Sequence, residues 1–270
     1  MKKAKLMMMA AAVCCAAMLP SLAIEVQAQV QHVNGNIVKC KLRWLPASKV
    51  YIVITVTESG RQVEQRWKPA DIAQMAVVPP AGWQNVVKQA SESPDAAIPL
   101  LRTIMSDYKM LKYDEEAARI AATIYLNKGQ PEEAIKVCEE VTRDNPAAAS
   151  VSVMAPVDWQ SLIAADKTSR LEKMLDEAAV SAPRPIAAKA LIARGDLLKK
   201  QNRPRDALKD GYLRVVFLLS NEKDAAAEAL YKAAEAHDEL HQTSYAEKMR
   251  QALLPRYSDS PYARKLRGGE

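Results

Sequence analysis

Between residues 36 and 80 apolar and polar positions alternate. Val38, Cys40, Leu42 and Trp44 share one side of an extended chain, and Lys39, Lys41 and Arg43 share the other. Residues 50–57 form a second, β-branched run. The turn signal Glu58-Ser59-Gly60-Arg61 separates it from Gln62–Trp67, where Val63 and Trp67 again oppose Glu64 and Arg66. A short segment at 70–78 follows, and Pro79-Pro80 stops any regular element. The pattern predicts roughly three or four short antiparallel strands. So few strands bury a core only by curling into a small barrel or by packing on a neighbour, and a small barrel over 29–80 is expected. Trp44 and Trp67 are assigned to its core, and the basic positions of the first strand to a solvated face.

From residue 81 onward the apolar positions take a helical period, connections are short, and segments begin to resemble one another. Residues 115–146 read EEAARIAATIYLNKGQ followed by PEEAIKVCEEVTRDNP. Counted from Glu115, Ala122 falls at the eighth position, Tyr125 at the eleventh, Gly129 at a turn, Ala134 at the twentieth and Pro146 at the end. Small residues at the eighth and twentieth positions let paired helices touch, and proline ends the second helix. Residues 188–219 (AKALIARGDLLKKQNRPRDALKDGYLRVVFLL) repeat the frame with Gly195, Ala207 and an Asn202-Arg203-Pro204 turn. With Leu219 where the proline should stand, the second helix is expected to run on toward Asn221. Residues 227–258 repeat it again with Ala234 and Ala246, and the tail reads LLPRYSDSPYARKL. Fainter hairpins are expected at 83–108 and 157–180.

These segments resemble the tetratricopeptide repeat, a pair of antiparallel helices about 34 residues long. The ending Tyr257-x-x-Ser260-Pro261 is similar to that of periplasmic repeat proteins of envelope assembly and cell division. The resemblance covers about two-thirds of the chain and implies a mostly α fold: an α-solenoid of about five helical hairpins over 81–266. The segment before it is similar to a small SH3-like or Sm-like barrel.

In this family the first helix of each hairpin lines a concave groove that holds an extended or helical segment of another protein. The resemblance therefore implies a partner-binding groove of Glu116, Arg119, Thr123, Leu126 and Asn127 from the first clear repeat. The second contributes Lys189, Ile192, Asp196, Lys199 and Lys200, and the last Glu228, Tyr231, Glu235, Asp238 and Glu239. Such a groove grades from basic to acidic. Thr123 stands where some co-chaperone repeats carry asparagine, so their clamp for a C-terminal carboxylate is not supported.

Hydrophobic residues make up 49% of the 270 positions, so a buried core is expected; aromatics are only 5%, and alanine supplies much of the apolar content. Eight glycines are too few for a glycine-rich phosphate loop to be expected. The N-terminus pairs Lys2, Lys3 and Lys5 with an apolar run from Leu6 to Leu19, the pattern of a secretory signal peptide over 1–28, cleaved after Ala23 or Ala28. Export to the periplasm or cell envelope is expected. Cys14 and Cys15 lack a preceding lipobox, so lipidation is not. Loss of the three lysines lowers the formal charge from +6 to +3, or to +4 where Glu25 also leaves. That mild, mixed surface suits protein partners and peripheral contact with a membrane, not nucleic acid. Cys40 and Cys138 remain, and two cysteines make no disulfide framework.

The stretch His237-Asp238-Glu239-Leu240-His241 has the histidine spacing of a zinc peptidase. That chemistry needs a glutamate directly after the first histidine and a third ligand; aspartate stands at 238, and the one other histidine is His32. No catalytic residue, metal site or cofactor is therefore expected. The chain reads as a non-enzymatic scaffold or adaptor for envelope proteins. The alternative is a hydrolase, or the accessory subunit of one, with the β-segment binding a ligand.

Overall fold

The computed structural model describes residues 24–169 and 171–268, so residues 1–23 of the leader expected over 1–28 lie outside it. The first strand, β1 (Val26–His32), is followed by β2 (Ile37–Leu45), β3 (Val50–Val56), β4 (Gln62–Trp67) and β5 (Ile72–Val77). They form one antiparallel sheet in the order β4-β3-β2-β1-β5. The expected barrel is corrected: the sheet is open, with β4 and β5 as its edges. Five strands stand where three or four were expected: β1 was not foreseen, and it crosses the expected boundary between residues 28 and 29, its buried Val26 and Ala28 pairing with Leu42 and Cys40.

The helical part explains why the sheet stays open. The alternation seen in the sequence puts Cys40, Leu42 and Trp44 of β2 on one face with Val26 and Val30 of β1 and Tyr51 and Val53 of β3. Tyr108 and Leu111, from the connection after the second helix, pack against that face and bury it. The Tyr51 hydroxyl donates to the Met110 carbonyl at 2.8 Å, securing the joint. A sheet capped in this way has no apolar face left to hide by closing on itself. On the other face Arg43 and Arg66 flank Ile52 in register, and Ile52 is only 3% exposed. The aliphatic stems of these side chains shield it; Arg66 is exposed, whereas the Arg43 Nε is buried with no partner among the described residues. Trp44 is core, stacked obliquely on Tyr51 at 4.8 Å, and half-buried Trp67 meets the edge of His32 at 4.9 Å.

The helices follow in pairs. α1 (Trp83–Glu92) packs with α2 (Pro94–Asp107), and α3 (Tyr113–Asn127) with α4 (Pro131–Thr142). The short α5 (Ala148–Val151) leads into α6 (Ala155–Ala164) and α7 (Leu171–Ser181). α8 (Arg184–Lys200) is followed by α9 (Pro204–Asp206), a π-helical turn (Ala207–Tyr212) and α10 (Leu213–Leu218), which run on as one helix over 204–218. α11 (Lys223–Glu239) pairs with α12 (Thr243–Arg256), and α13 (Pro261–Leu266) packs on α11 and α12. Alanine makes the pairs close: Ala117, Ala118, Ala121, Ala122 and Ala134 are all fully buried in the core that α3 and α4 share with α2 and α6. Gly129 turns between them at φ +69°, where a glycine is free of strain, and Pro131 opens α4. The faint hairpin at 157–180 is held by Trp159, fully buried against Leu171 and Leu175, its indole N–H donating to the Ala149 carbonyl at 3.0 Å.

A close crossing joins α8 to the 204–218 helix. A Cβ on Gly211 would lie 2.6 Å from the Gly195 Cα and 2.9 Å from the Leu191 carbonyl oxygen. A Cβ on Gly195 would run into the Tyr212 ring. The contact made by Gly195 is thus with Gly211 and Tyr212, not with Ala207 alone. The π-helical turn supplies an extra residue that rotates the Gly211–Tyr212 edge inward. The 204–218 helix also stops at Leu218 instead of running on to Asn221. Leu219 leaves helical geometry at φ −128°, and its carbonyl accepts from the Glu222 N–H instead. A Gly211→Ala variant is expected to lose on the order of 1–3 kcal/mol of stability, because the clash is with backbone that cannot rotate away. Urea denaturation against the parent chain checks this, and an unchanged midpoint would mean that the helices are not this close.

Candidate functional site

A cleft of about 590 Å³ runs across four helices that belong to different hairpins. Glu116 and Arg119 border it from α3, Val153 and Pro156 from the start of α6, and Ile186 and Lys189 from the first two turns of α8. Lys223 and Asp224 close it from the start of α11. Local sequence explains the convergence. Pro156 and Pro185 sit in the first turns of their helices, where a missing N–H costs nothing, so α6 and α8 both begin at this surface. Arg184 pairs with Glu222 at 3.3 Å and fastens the start of α8 to that of α11. Helix starts carry unpaired N–H groups and a partial positive charge. The cleft thus sets apolar Val153, Pro156 and Ile186 among Arg119, Lys189 and Lys223 on one side of the charge balance and Glu116 and Asp224 on the other.

Beneath its α8–α11 end lies a connected set of charges. Lys189 reaches Glu228 at 2.5 Å, Lys232 reaches Glu228 at 3.1 Å and Asp196 at 2.5 Å, and the Tyr212 hydroxyl donates to Asp196 at 2.8 Å. Burial opposes ionisation of Glu228, but Lys232 and Lys189 outweigh it and hold the carboxyl below the ordinary glutamate range. Burial works against the Lys232 ammonium too, and Asp196 and Glu228 overcome it and raise its pKa. For Asp196 burial prevails over Lys232 and Tyr212, and its carboxyl is raised. Buried Tyr212 and half-buried Tyr262, beside these carboxylates, stay protonated phenols.

Of the groove residues expected from the sequence, the structure brings Glu116, Arg119 and Lys189 to the cleft. Glu116 and Arg119 pair with each other at 3.1 Å. Thr123 turns back onto its own helix, donating to the Arg119 carbonyl at 2.7 Å, and Asn127 is exposed at the far end of α3. Asp196 belongs to the buried charge set. Lys199 bridges to Glu235 at 3.7 Å and Glu239 at 3.0 Å, so basic and acidic positions neutralise one another between α8 and α11 instead of forming a gradient. Lys200 points elsewhere, to Asp166 at 2.6 Å and the Ile163 carbonyl. Asp238 pairs with Arg250 on α12, away from Glu239. Tyr231 packs against Tyr262, with the Lys265 ammonium 5.0 Å from its ring centre. The sequence reading missed Val153, Pro156, Lys223 and Asp224, which sit at helix starts; the prolines were the available signal.

The two C-terminal histidines do not share a helix face. α11 ends at Glu239, and His241 lies beyond it at φ +56° and exposed. His237 is buried, its Nδ1 2.8 Å from the Gln242 side-chain oxygen and its ring stacked on Tyr245. Cys40 lies in the sheet core and Cys138 in the α3–α4 core, and among the described residues neither is bridged. Burial pushes the Cys40 thiol up to about 11 and raises that of Cys138 further, helped by Asp158, so neither is a thiolate at neutral pH.

A smaller cleft of about 230 Å³ opens where α2, α3 and α4 meet. Arg102–Glu140 and Lys109–Asp144 pairs border it, and Asp114 forms part of its wall. Asp114 is 4% exposed; one oxygen accepts from the Met110 N–H at 2.7 Å, and the other has no partner among the described residues. Burial pushes its pKa up to about 6, with Glu115 adding to the effect and the Met110 bond opposing it. A carboxyl raised above its unfolded value of about 3.9 favours the native state at low pH, and that contribution is lost as pH rises through about 6. In Asp114→Asn, which keeps an acceptor for Met110, this dependence should vanish. Between pH 4 and pH 7 the stability difference is therefore expected to move in favour of the variant, by on the order of 2 kcal/mol, in urea titrations. A difference that stays constant over this window would contradict the assignment.

No family model, curated protein or solved structure matches the chain.

Proposed function

We propose that the chain is an exported, non-enzymatic adaptor of the tetratricopeptide kind, holding a segment of another cell-envelope protein in the cleft bordered by α3, α6, α8 and α11. The repeat resemblance makes outer-membrane assembly or cell-wall and division machinery the natural setting. The observation that carries the reading is the make-up of the cleft: apolar Val153, Pro156 and Ile186 set among charges of both signs, on helix starts from separate hairpins. An extended segment with small apolar anchors and charged flanks is complementary to it. The buried charge set beneath holds α8 and α11 in place before a partner arrives, which limits the ordering cost of binding. Export accounts for the basic start and apolar run of the N-terminus. The pairing of Val26 and Ala28 in β1 supports cleavage after Ala23 over cleavage after Ala28, which would strip both from the strand.

Two measurements test this reading. N-terminal sequencing of the exported chain should begin at Ile24, and a start at Gln29 would contradict the cleavage assignment. A photo-crosslinker placed at Val153 should capture a defined envelope protein in cells, whereas one at Lys173 on α7 should not. Arg119→Glu combined with Val153→Glu should weaken that capture at least tenfold while shifting stability by no more than about 0.5 kcal/mol, the usual size for exposed positions. Equal capture at both positions, or capture indifferent to the double variant, would remove the cleft from partner binding.

A further inference from the structure

The outer side of the 204–218 helix carries a surface that the cleft reading leaves unused. Arg205, Lys209, Leu213 and Phe217 recur every four residues along it, with Arg214 and Leu218 alongside. Phe217, the single phenylalanine of the chain, is 71% exposed, and Leu218 is 65% exposed. Most other large apolar side chains of this helix are inside: Leu208, Tyr212 and Val215 are buried in the α8–α11 core. Among the described residues Arg205, Lys209 and Arg214 form no ion pair; of the two acids on this helix, Asp206 is taken by Arg203 at 2.8 Å, and Asp210, beside Lys209, is half-buried and pairs with none of the three. Phe217 and Leu218 stand at the end of the helix, where the connection through Ser220 and Asn221 is itself exposed. The surface is therefore an apolar tip with unpaired cations behind it.

We propose that this surface docks the chain onto an anionic lipid bilayer. A bilayer presents a plane of negative headgroups over hydrocarbon, and the stripe presents the complement of that order. Phe217 and Leu218 enter the boundary between headgroups and acyl chains, and Arg205, Lys209 and Arg214 stay at headgroup depth, their stems lying along the interface. Charge argues against a second copy of the chain meeting this face, since matching surfaces would bring three cations against three. A phosphate backbone would satisfy the cations and leave the phenylalanine in water. The cleft and this surface have no residue in common, so the two are independent: docking stands or falls without reference to what the cleft holds.

The test is sedimentation of the chain from Ile24 onward, which contains every described element, with vesicles of pure phosphatidylcholine and with vesicles carrying about one phosphatidylglycerol in four. Binding is expected to the anionic vesicles only, and to weaken as salt is added. Phe217→Ser with Leu218→Ser should lower partitioning roughly tenfold or more, with the thermal melt unchanged because both side chains are already exposed. Arg205→Gln, Lys209→Gln and Arg214→Gln together should lower it similarly and abolish the salt dependence. Failure to sediment with anionic vesicles overturns the proposal and leaves the face to an acidic protein partner. Variants that bind as well as the parent chain overturn it equally.

Discussion

Helix α8 can meet the 204–218 helix at backbone distance because neither Gly195 nor Gly211 carries a side chain there. Much of the C-terminal half depends on that approach. It lets Tyr212 slide past Gly195 so that its hydroxyl reaches Asp196, and Asp196 in turn holds Lys232 of α11. The same helix presents Leu191 and Leu198 to the core shared with α11, and Ala190 and Leu197 to the core shared with α6 and α7. One close crossing thus sets the spacing from which two neighbouring cores are built. Tight helix packing of this kind tolerates no added methyl group, since interiors are packed at crystal density.

The charges between α8 and α11 illustrate how burial and pairing divide the control of ionisation. Glu228 is nearly inaccessible, yet with two ammonium groups on it the carboxylate is favoured. Asp196, with one ammonium and a phenol, remains raised. Such a set adds little net stability over a well-packed apolar contact, but it admits one arrangement of the two helices and penalises others. A cleft assembled from the starts of several helices needs that fixed arrangement, because sliding α11 along α8 would carry Lys223 and Asp224 away from Lys189.

The open sheet follows the same economy of surfaces. Its apolar face was free to be covered either by its own curl or by the helices that follow, and Tyr108 and Leu111 cover it. Among the described residues edges β4 and β5 consequently stay unpaired. The exposed tip at Phe217 and Leu218 is the opposite case, an apolar surface over which no described element lies. The molecule combines a shielded sheet, a cleft between hairpins and an uncovered basic-apolar stripe on one framework.

Read by itself, the sequence determined the succession of elements. Period-two alternation located β2, β3 and β4 but not β1, whose first residues read as part of the leader, and Cys40, Leu42 and Trp44 lie inside as their spacing required. Small residues at Ala122, Gly195 and Ala234 marked where helices touch, and all three are buried. These features are legible because each depends on neighbours a few residues apart along one element. What only the tertiary structure decided depends on partners distant in the chain. The sheet stayed open because of Tyr108 and Leu111, Gly195 met Gly211 through an unforeseen π-helical turn, and Lys199 found Glu235 and Glu239 instead of solvent. The repeat resemblance assigned Asp238 and Glu239 to one surface, yet adjacent positions on a helix diverge by about 100°, enough to send one to α12 and the other to α8. Local periodicity states which residues face inward; which neighbour they meet there is set by packing across the whole chain.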